Sequence, residues 1–213
     1  MKTRIVQKQF KRKETKYIVD KKTFELLEKE LRQYMMADEF ATSTITNESS
    51  QAFLEIKKKE NKIGYKYRLT SNPVSVANYI ENGVIDSTIK DDKVTSELEM
   101  LRERYGTIKP KMYIYYDRVS YKGIEDKKVR LTIDKNLLYR DYDVDAMEGK
   151  FGKNLLDPTK VIMEVKVPEE RPDWLVALLE KYQIEKQSFS KYGNAYKLAH
   201  NITGEEVSKH AAV

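Results

Sequence analysis

The chain has no cysteine, only two histidines and one tryptophan, and five prolines among 213 residues. Without cysteine there are no disulfides and no thiolate metal sites, which fits a reducing compartment. Both histidines, His200 and His210, lie near the C-terminal end. Chemistry elsewhere must rest on carboxylates, lysines, arginines or a bound metal. No apolar run approaches the roughly 18 residues that span a bilayer. The N-terminal MKTRIVQKQFKRKE has no apolar stretch behind its basic start, so it does not read as a secretory signal. Together these absences point to a cytoplasmic protein.

Charge is what the chain has in quantity. Charged residues make up 35% and hydrophobic residues 40%, and the net charge is +6 from 40 basic and 34 acidic side chains. So mild an excess permits an anionic partner but names none: nucleic acid, membrane surface, nucleotide and polyphosphate stay open. The length suits one domain with a sizeable core, and no internal repeat or linker divides it.

Residues 12–19 read as a strand, and Asp20 is placed to cap a helix on which Phe24, Leu27, Leu31 and Met35 recur at helical spacing. Residues 37–51 are polar, with a short strand expected near Thr44–Ile45. Two strands, 52–59 and 63–69, flank a turn at ENK. Pro73 opens a helix ending before Gly83, and Val94, Leu98, Leu101 and Tyr105 mark a second helix ending before Gly106. Strands follow at 111–121, 128–134 and 161–167, and Pro172 stands at the first position of the helix DWLVALLEKYQ. The segment 135–157 has no clear period and is expected to be irregular.

Side chains alternate faces along a strand. That alternation puts Arg12, Glu14 and Lys16 on one face of the first strand, and Glu55, Lys57 and Lys59 on one face of the next. It does the same for Lys66 with Arg68, for Arg130, Thr132 and Asp134, and for Glu164 with Lys166, while Arg118 adds a further charge. An ordinary sheet with one solvated face would give this pattern. The amphipathic helices, however, need the apolar face to cover. A closed antiparallel β-barrel in an α+β fold would gather the charged faces into one lumen. Its nine cations against four acids leave a positive surplus, which a chain of phosphates would offset. Glu14, Glu55, Asp134 and Glu164 are the acids placed to hold a hard divalent cation. Asp134 alternatively caps the turn after its strand.

FKRKETKY (10–17), FLEIKKK (53–59), YYDRVSY (115–121), VRLTID (129–134), IMEVKVP (162–168), PDWL (172–175) and SFSKY (188–192) occur in an order that resembles the VTC domain, the polyphosphate polymerase domain of the CYTH or triphosphate tunnel metalloenzyme superfamily. The resemblance implies one domain over the whole chain and a tunnel in which the γ-phosphate of ATP extends inorganic polyphosphate, with Mn2+ or Mg2+. It implies that Lys57, Arg118, Arg130 and Lys166 serve catalysis, and that Glu164 binds the metal. Lys16 would line the tunnel, and Ser190 and Lys191 would meet the phosphate chain near one mouth. By strand phase, Arg12, Lys59, Lys66 and Arg68 join the substrate-binding set. Family members also carry two further strands, rich in basic residues, where this chain passes from TITN (44–47) almost directly into SSQAFLEIKKK. That departure keeps open a non-catalytic polyphosphate- or nucleotide-binding module and a triphosphatase beside the polymerase. A membrane-protein partner is a further implication of the family. A nucleic-acid partner is not expected, since no DNA- or RNA-reading motif is present.

Overall fold

A computed structural model describes residues 13–38, 51–60, 63–84, 86, 89 and 92–202. The expected strand near Thr44–Ile45, the shortened segment around residue 47 and Arg12 lie outside the described residues. The chain forms two compact units: Met1–Thr42, Ile114–Tyr142 and Lys150–Val213 make the first, Ser43–Tyr113 and Asp143–Gly149 the second.

In the first unit, strand β1 (Lys13–Asp20) leads into helix α1 (Lys21–Leu31) and the short strand β2 (Met35–Ala37). The sheet is completed by β5 (Tyr113–Gly123), β6 (Arg130–Arg140), β7 (Lys153–Asn154) and β8 (Lys160–Val167), after which come helices α4 (Asp173–Lys181) and α5 (Lys191–Ala199). Strand order is β1-β8-β6-β5-β2, with β7 beside β6. The β1–β8 and β6–β8 ladders are antiparallel. On β8, Val161, Met163, Val165 and Val167 point to one side and are fully buried with Leu131 and Ile133 of β6 and Tyr17 and Val19 of β1. Helix α1 covers that face with Phe24, Leu27 and Leu31, and α4 with Leu175, Leu178 and Leu179. Each such side chain contributes about 1.5–3 kcal/mol of burial. The helices thus take the apolar face and leave the charged one uncovered by them.

The second unit holds the hairpin of β3 (Ala52–Glu60) and β4 (Ile63–Ser71) with helices α2 (Pro73–Asn82) and α3 (Asp92–Tyr105). Asn72 caps α2 by accepting the Ser75 N–H at 2.9 Å, and Pro73 follows at the first turn. Gly83 ends it at φ 71°, a left-handed position that favours glycine. Ile56, Leu69, Tyr79, Val94 and Leu98 form this unit's core.

Several sequence expectations are corrected. Asp20 stands at the α1 N-cap but its side chain makes no capping bond. Met35 is buried as expected, yet in β2, because α1 stops at Leu31. Tyr105 ends α3 largely exposed, one turn beyond the apolar stripe. Pro172 is the N-cap of α4, and the helix begins at Asp173. The segment expected to be irregular continues β6 to Arg140 and contains a 3-10 turn (Ala146–Glu148) and β7. The α+β class with antiparallel sheets stands. Among the described residues the strands form one open path and a separate hairpin, with no closed barrel. No helix among them is long and apolar enough to cross a membrane.

Leu131→Ala, in the central strand, is expected to lower unfolding free energy by about 2–5 kcal/mol. Leu26→Ala, on the exposed side of α1, is expected to change it by less than about 0.5 kcal/mol. Urea unfolding of both variants checks this.

A charged sheet face as the candidate functional site

Residues directly opposite in an antiparallel ladder share a face. The registers therefore stack three rows across β1, β8 and β6: Glu14–Lys166–Arg130, Lys16–Glu164–Thr132, and Ile18–Ile162–Asp134. The third row sets two isoleucines beside the aspartate.

Glu164 sits at the centre, its side chain 8% exposed. Lys166 donates to it at 2.7 Å, and Lys16 approaches its other oxygen at 3.9 Å. Glu14, at the rim, reaches Lys166 at 3.5 Å and Lys16 at 3.6 Å. Burial alone would raise the Glu164 pKa. The hydrogen bond from Lys166 and the charges of Lys166, Lys16 and Arg118 outweigh it and hold the carboxyl below its ordinary value. Burial would likewise lower the Lys166 pKa, but Glu164 and Glu14 raise it.

Asp134 is 0% exposed. Arg118 of β5 donates to it through Nε at 2.5 Å and Nη2 at 2.7 Å, and Lys191 of α5 lies 2.5 Å from the same carboxylate. Burial opposes the Arg118 charge, yet Asp134 more than restores it and raises the guanidinium pKa. Asp134 is thus mid-strand and ion-paired, not a cap on the following turn. Arg130 pairs with Asp38, a buried aspartate just after β2. Lys16 also donates to the Phe189 carbonyl at 3.3 Å, and Ser190 caps α5 by accepting the Gly193 N–H at 3.1 Å. These contacts bring the loop before α5, and with it Lys191, to the charged face.

The structure therefore brings together Glu14, Lys16, Arg118, Arg130, Asp134, Glu164, Lys166 and Lys191 in one unit. Asp38 was missed. It stands at the start of a polar segment without period, and no spacing marked it.

In the hairpin unit, Glu55, Lys57, Lys66 and Arg68 do share a face, with Glu55 opposite Arg68 and Lys57 opposite Lys66. Glu55 holds Lys66 at 2.7 Å and also Arg68. Burial would raise the Glu55 pKa, but these two cations lower it. Lys57 directly opposite Lys66 is a like-charge pair, unfavourable unless an anion joins it. Lys58 takes the other face and pairs with Glu97 at 2.6 Å, a structural role. Lys59 lies in β3, and its side chain falls outside the described part.

Both Asp134 oxygens already accept from cations, and Glu164 shares its oxygens with two lysines. Among the described residues no three His, Asp or Glu side chains gather as a metal cage. Glu164 and Glu14 are the carboxylates that would hold a divalent cation, since such ions bind through one or two carboxylates plus substrate.

Fold and site define a class: an antiparallel sheet with helices on its apolar face and interlocked cations and carboxylates on the other. The family model for the VTC domain matches residues 44–200, and the chain belongs to that family. β1, α1 and β2, with Glu14, Lys16 and Asp38, precede the matched residues. A comparison with curated proteins gave no match.

For stability, the lowered Glu164 pKa means its pairing contributes above the unfolded value and is lost as pH falls through the folded one. Glu164→Gln should destabilise the chain by about 1–3 kcal/mol near neutrality. The gap from wild type should shrink as pH drops below about 4. Urea unfolding across that range measures it; a gap that stays constant would contradict the pairing.

Proposed function

We propose that the charged face binds inorganic polyphosphate and that the protein is a polyphosphate polymerase-like phosphotransferase using ATP. The observation that carries this is the row structure of the face: Lys16 and Lys166 meet Glu164, Arg118 and Lys191 meet Asp134, and Arg130 stands opposite Lys166. Membership of the VTC domain family supports it. In this reading Lys57, Arg118, Arg130 and Lys166 grip phosphates. In the first unit Lys16, Ser190 and Lys191 extend the grip, and Lys66 and Arg68 stand with Lys57 on the hairpin's own charged face. Arg12 and Lys59 extend the same set.

Transfer would form a bond from the terminal oxygen of the polyphosphate chain to the γ-phosphorus of ATP. The bond to the bridging oxygen breaks, and ADP leaves with its electron pair. Such in-line transfer asks the protein for positioning and charge stabilisation rather than covalent chemistry. The guanidiniums of Arg118 and Arg130 offer forked donors to the non-bridging oxygens, and the lysines offer point charges. Glu164, with Glu14 beside it, would hold Mn2+ or Mg2+. A divalent cation there would supply bridging and neutralisation of the phosphates. The cysteine-free chain fits work in the cytoplasm.

The second reading is a polyphosphate-binding module without turnover. It is favoured by the cations that already occupy the oxygens of Asp134 and Glu164.

Incubation with ATP and Mn2+ separates the readings: growing chains mark a polymerase, free phosphate a hydrolase, and binding alone a module. Glu164→Gln should abolish Mn2+-dependent chain growth while metal-free polyphosphate binding survives. Arg130→Ala should weaken binding by about 1–3 kcal/mol, the scale of a charged hydrogen bond. Binding should also weaken with salt. Unchanged affinity in both Arg118→Ala and Arg130→Ala would move the site elsewhere.

A further inference from the structure

Two aspartates of the charged face are buried more deeply than the arginines they hold. Asp134 is 0% exposed beneath Arg118 at 34%, and Asp38 is 6% exposed beneath Arg130 at 40%. Asp134 is the more fully engaged. Its Oδ1 accepts from Arg118 Nε, and its Oδ2 from Arg118 Nη2 and Lys191. The Tyr116 ring lies against both cations, 5.0 Å from the Arg118 guanidinium and 4.6 Å from the Lys191 ammonium. Asp38 accepts from Arg130 Nη1, and its backbone N–H donates to the Ser120 carbonyl of β5 at 2.8 Å, which anchors the carboxylate to the sheet.

An arginine carries five N–H donors in one rigid plane. A carboxylate behind it uses one edge and fixes the plane, so the other donors keep their direction. Asp134 takes two donors of Arg118, and Asp38 takes one of Arg130. The Arg118 and Arg130 side chains remain partly exposed, although Arg130 Nε and Asp38 Oδ1 are buried without a hydrogen-bond partner.

We propose that Asp38 and Asp134 are positioning residues. Each buried carboxylate fixes the orientation of one arginine before ligand arrives, and Asp134 also fixes Lys191, so that the remaining donors face a phosphate chain. This rests on the phosphate-binding reading given above. The carboxylates of the face then divide by what they hold. Asp38 and Asp134 each organise an arginine, and Glu164 and Glu14 pair with lysines.

The sign of the effect is diagnostic. Replacing either aspartate by asparagine removes a negative charge near a polyanion, and electrostatics alone then tightens binding. Loss of positioning weakens it instead, because the freed arginine must be ordered at the moment of binding.

The test is calorimetric titration of the full chain with tripolyphosphate, without metal. It compares wild type, Arg118→Ala, Arg130→Ala, Asp134→Asn, Asp38→Asn, and the doubles Asp134→Asn/Arg118→Ala and Asp38→Asn/Arg130→Ala. Each aspartate variant should bind about tenfold more weakly than wild type. The Asp38→Asn/Arg130→Ala double should bind no more weakly than Arg130→Ala, because Asp38 acts only through Arg130. The Asp134→Asn/Arg118→Ala double should lose, beyond Arg118→Ala, only what Asp134 does for Lys191, less than the full sum of the singles. A merely structural role would add its loss in the double. Asparagine variants that bind as tightly as wild type or tighter, or doubles whose losses add in full, overturn the positioning role. Wild-type binding by both arginine singles overturns the phosphate reading and this inference with it. Asp134→Asn leaves two cations unpaired, so thermal unfolding accompanies every titration. If that variant does not fold, the Asp38 pair decides the outcome on the same criteria.

Discussion

A charged side chain drawn away from water needs a counter-charge, and removing one partner of a buried pair costs far more than the pair is worth. That constraint organises the polar face of the sheet. Glu164, Asp134 and Asp38 are buried anions, and Lys16, Lys166, Arg118, Lys191 and Arg130 arrange themselves around them. The position of α5 depends on it, because Lys191 at its first turn pairs with Asp134 and Lys16 bonds the carbonyl of Phe189 just before it. The opposite face is fixed by packing instead. Apolar side chains on β8 and β6 meet α1 and α4 there, so the strands have no freedom to exchange faces.

Pairing changes what the cations can do for an anionic ligand. Around the first unit's face, Lys16, Arg118, Arg130, Lys166 and Lys191 stand against Glu14, Asp38, Asp134 and Glu164, so most of the positive charge is answered within the protein. On the proposed reading, affinity in this unit would come less from a long-range field than from donors left over after pairing, held at close range. Charge-assisted hydrogen bonds of that kind carry geometry as well as energy. The hairpin differs: Lys57 and Lys66 stand opposite one another, while Glu55 serves Lys66 and Arg68.

The strands and their phases were legible because alternation of period two is strong in VIMEVKV, VRLTID and FLEIKKK, and a one-residue slip would bury charge. The shared face of Glu14 with Lys16, of Arg130 with Asp134 and of Glu164 with Lys166 followed from the same phase. Arg118 lay on a strand whose alternation tyrosines blur, and only the family likeness pointed to Lys191. Elsewhere local pattern failed for physical reasons. Met35 continues the helical stripe of α1, yet the chain turns at Arg32 and buries it from β2. Residues 135–140 carry too mixed a pattern to read, but β6 runs on through them to Arg140, pairing with β7 at Leu138 and Tyr139. Asp38 left no trace in spacing, since its role comes from a contact with Arg130 far along the chain. Asp134 could be read as a cap only because sequence alone ended its strand there.

The central claim is that the β1–β8–β6–β5 face meets the phosphate chain as one surface. Side-chain NMR of arginine Nε and lysine Nζ groups during titration with polyphosphate tests it most directly. The account predicts shifts concentrated on Lys16, Arg118, Arg130, Lys166 and Lys191, with Arg32 of the α1 end and Lys181 of α4 unmoved. Shifts spread evenly over the exposed lysines, or confined to residues away from that face, would contradict it.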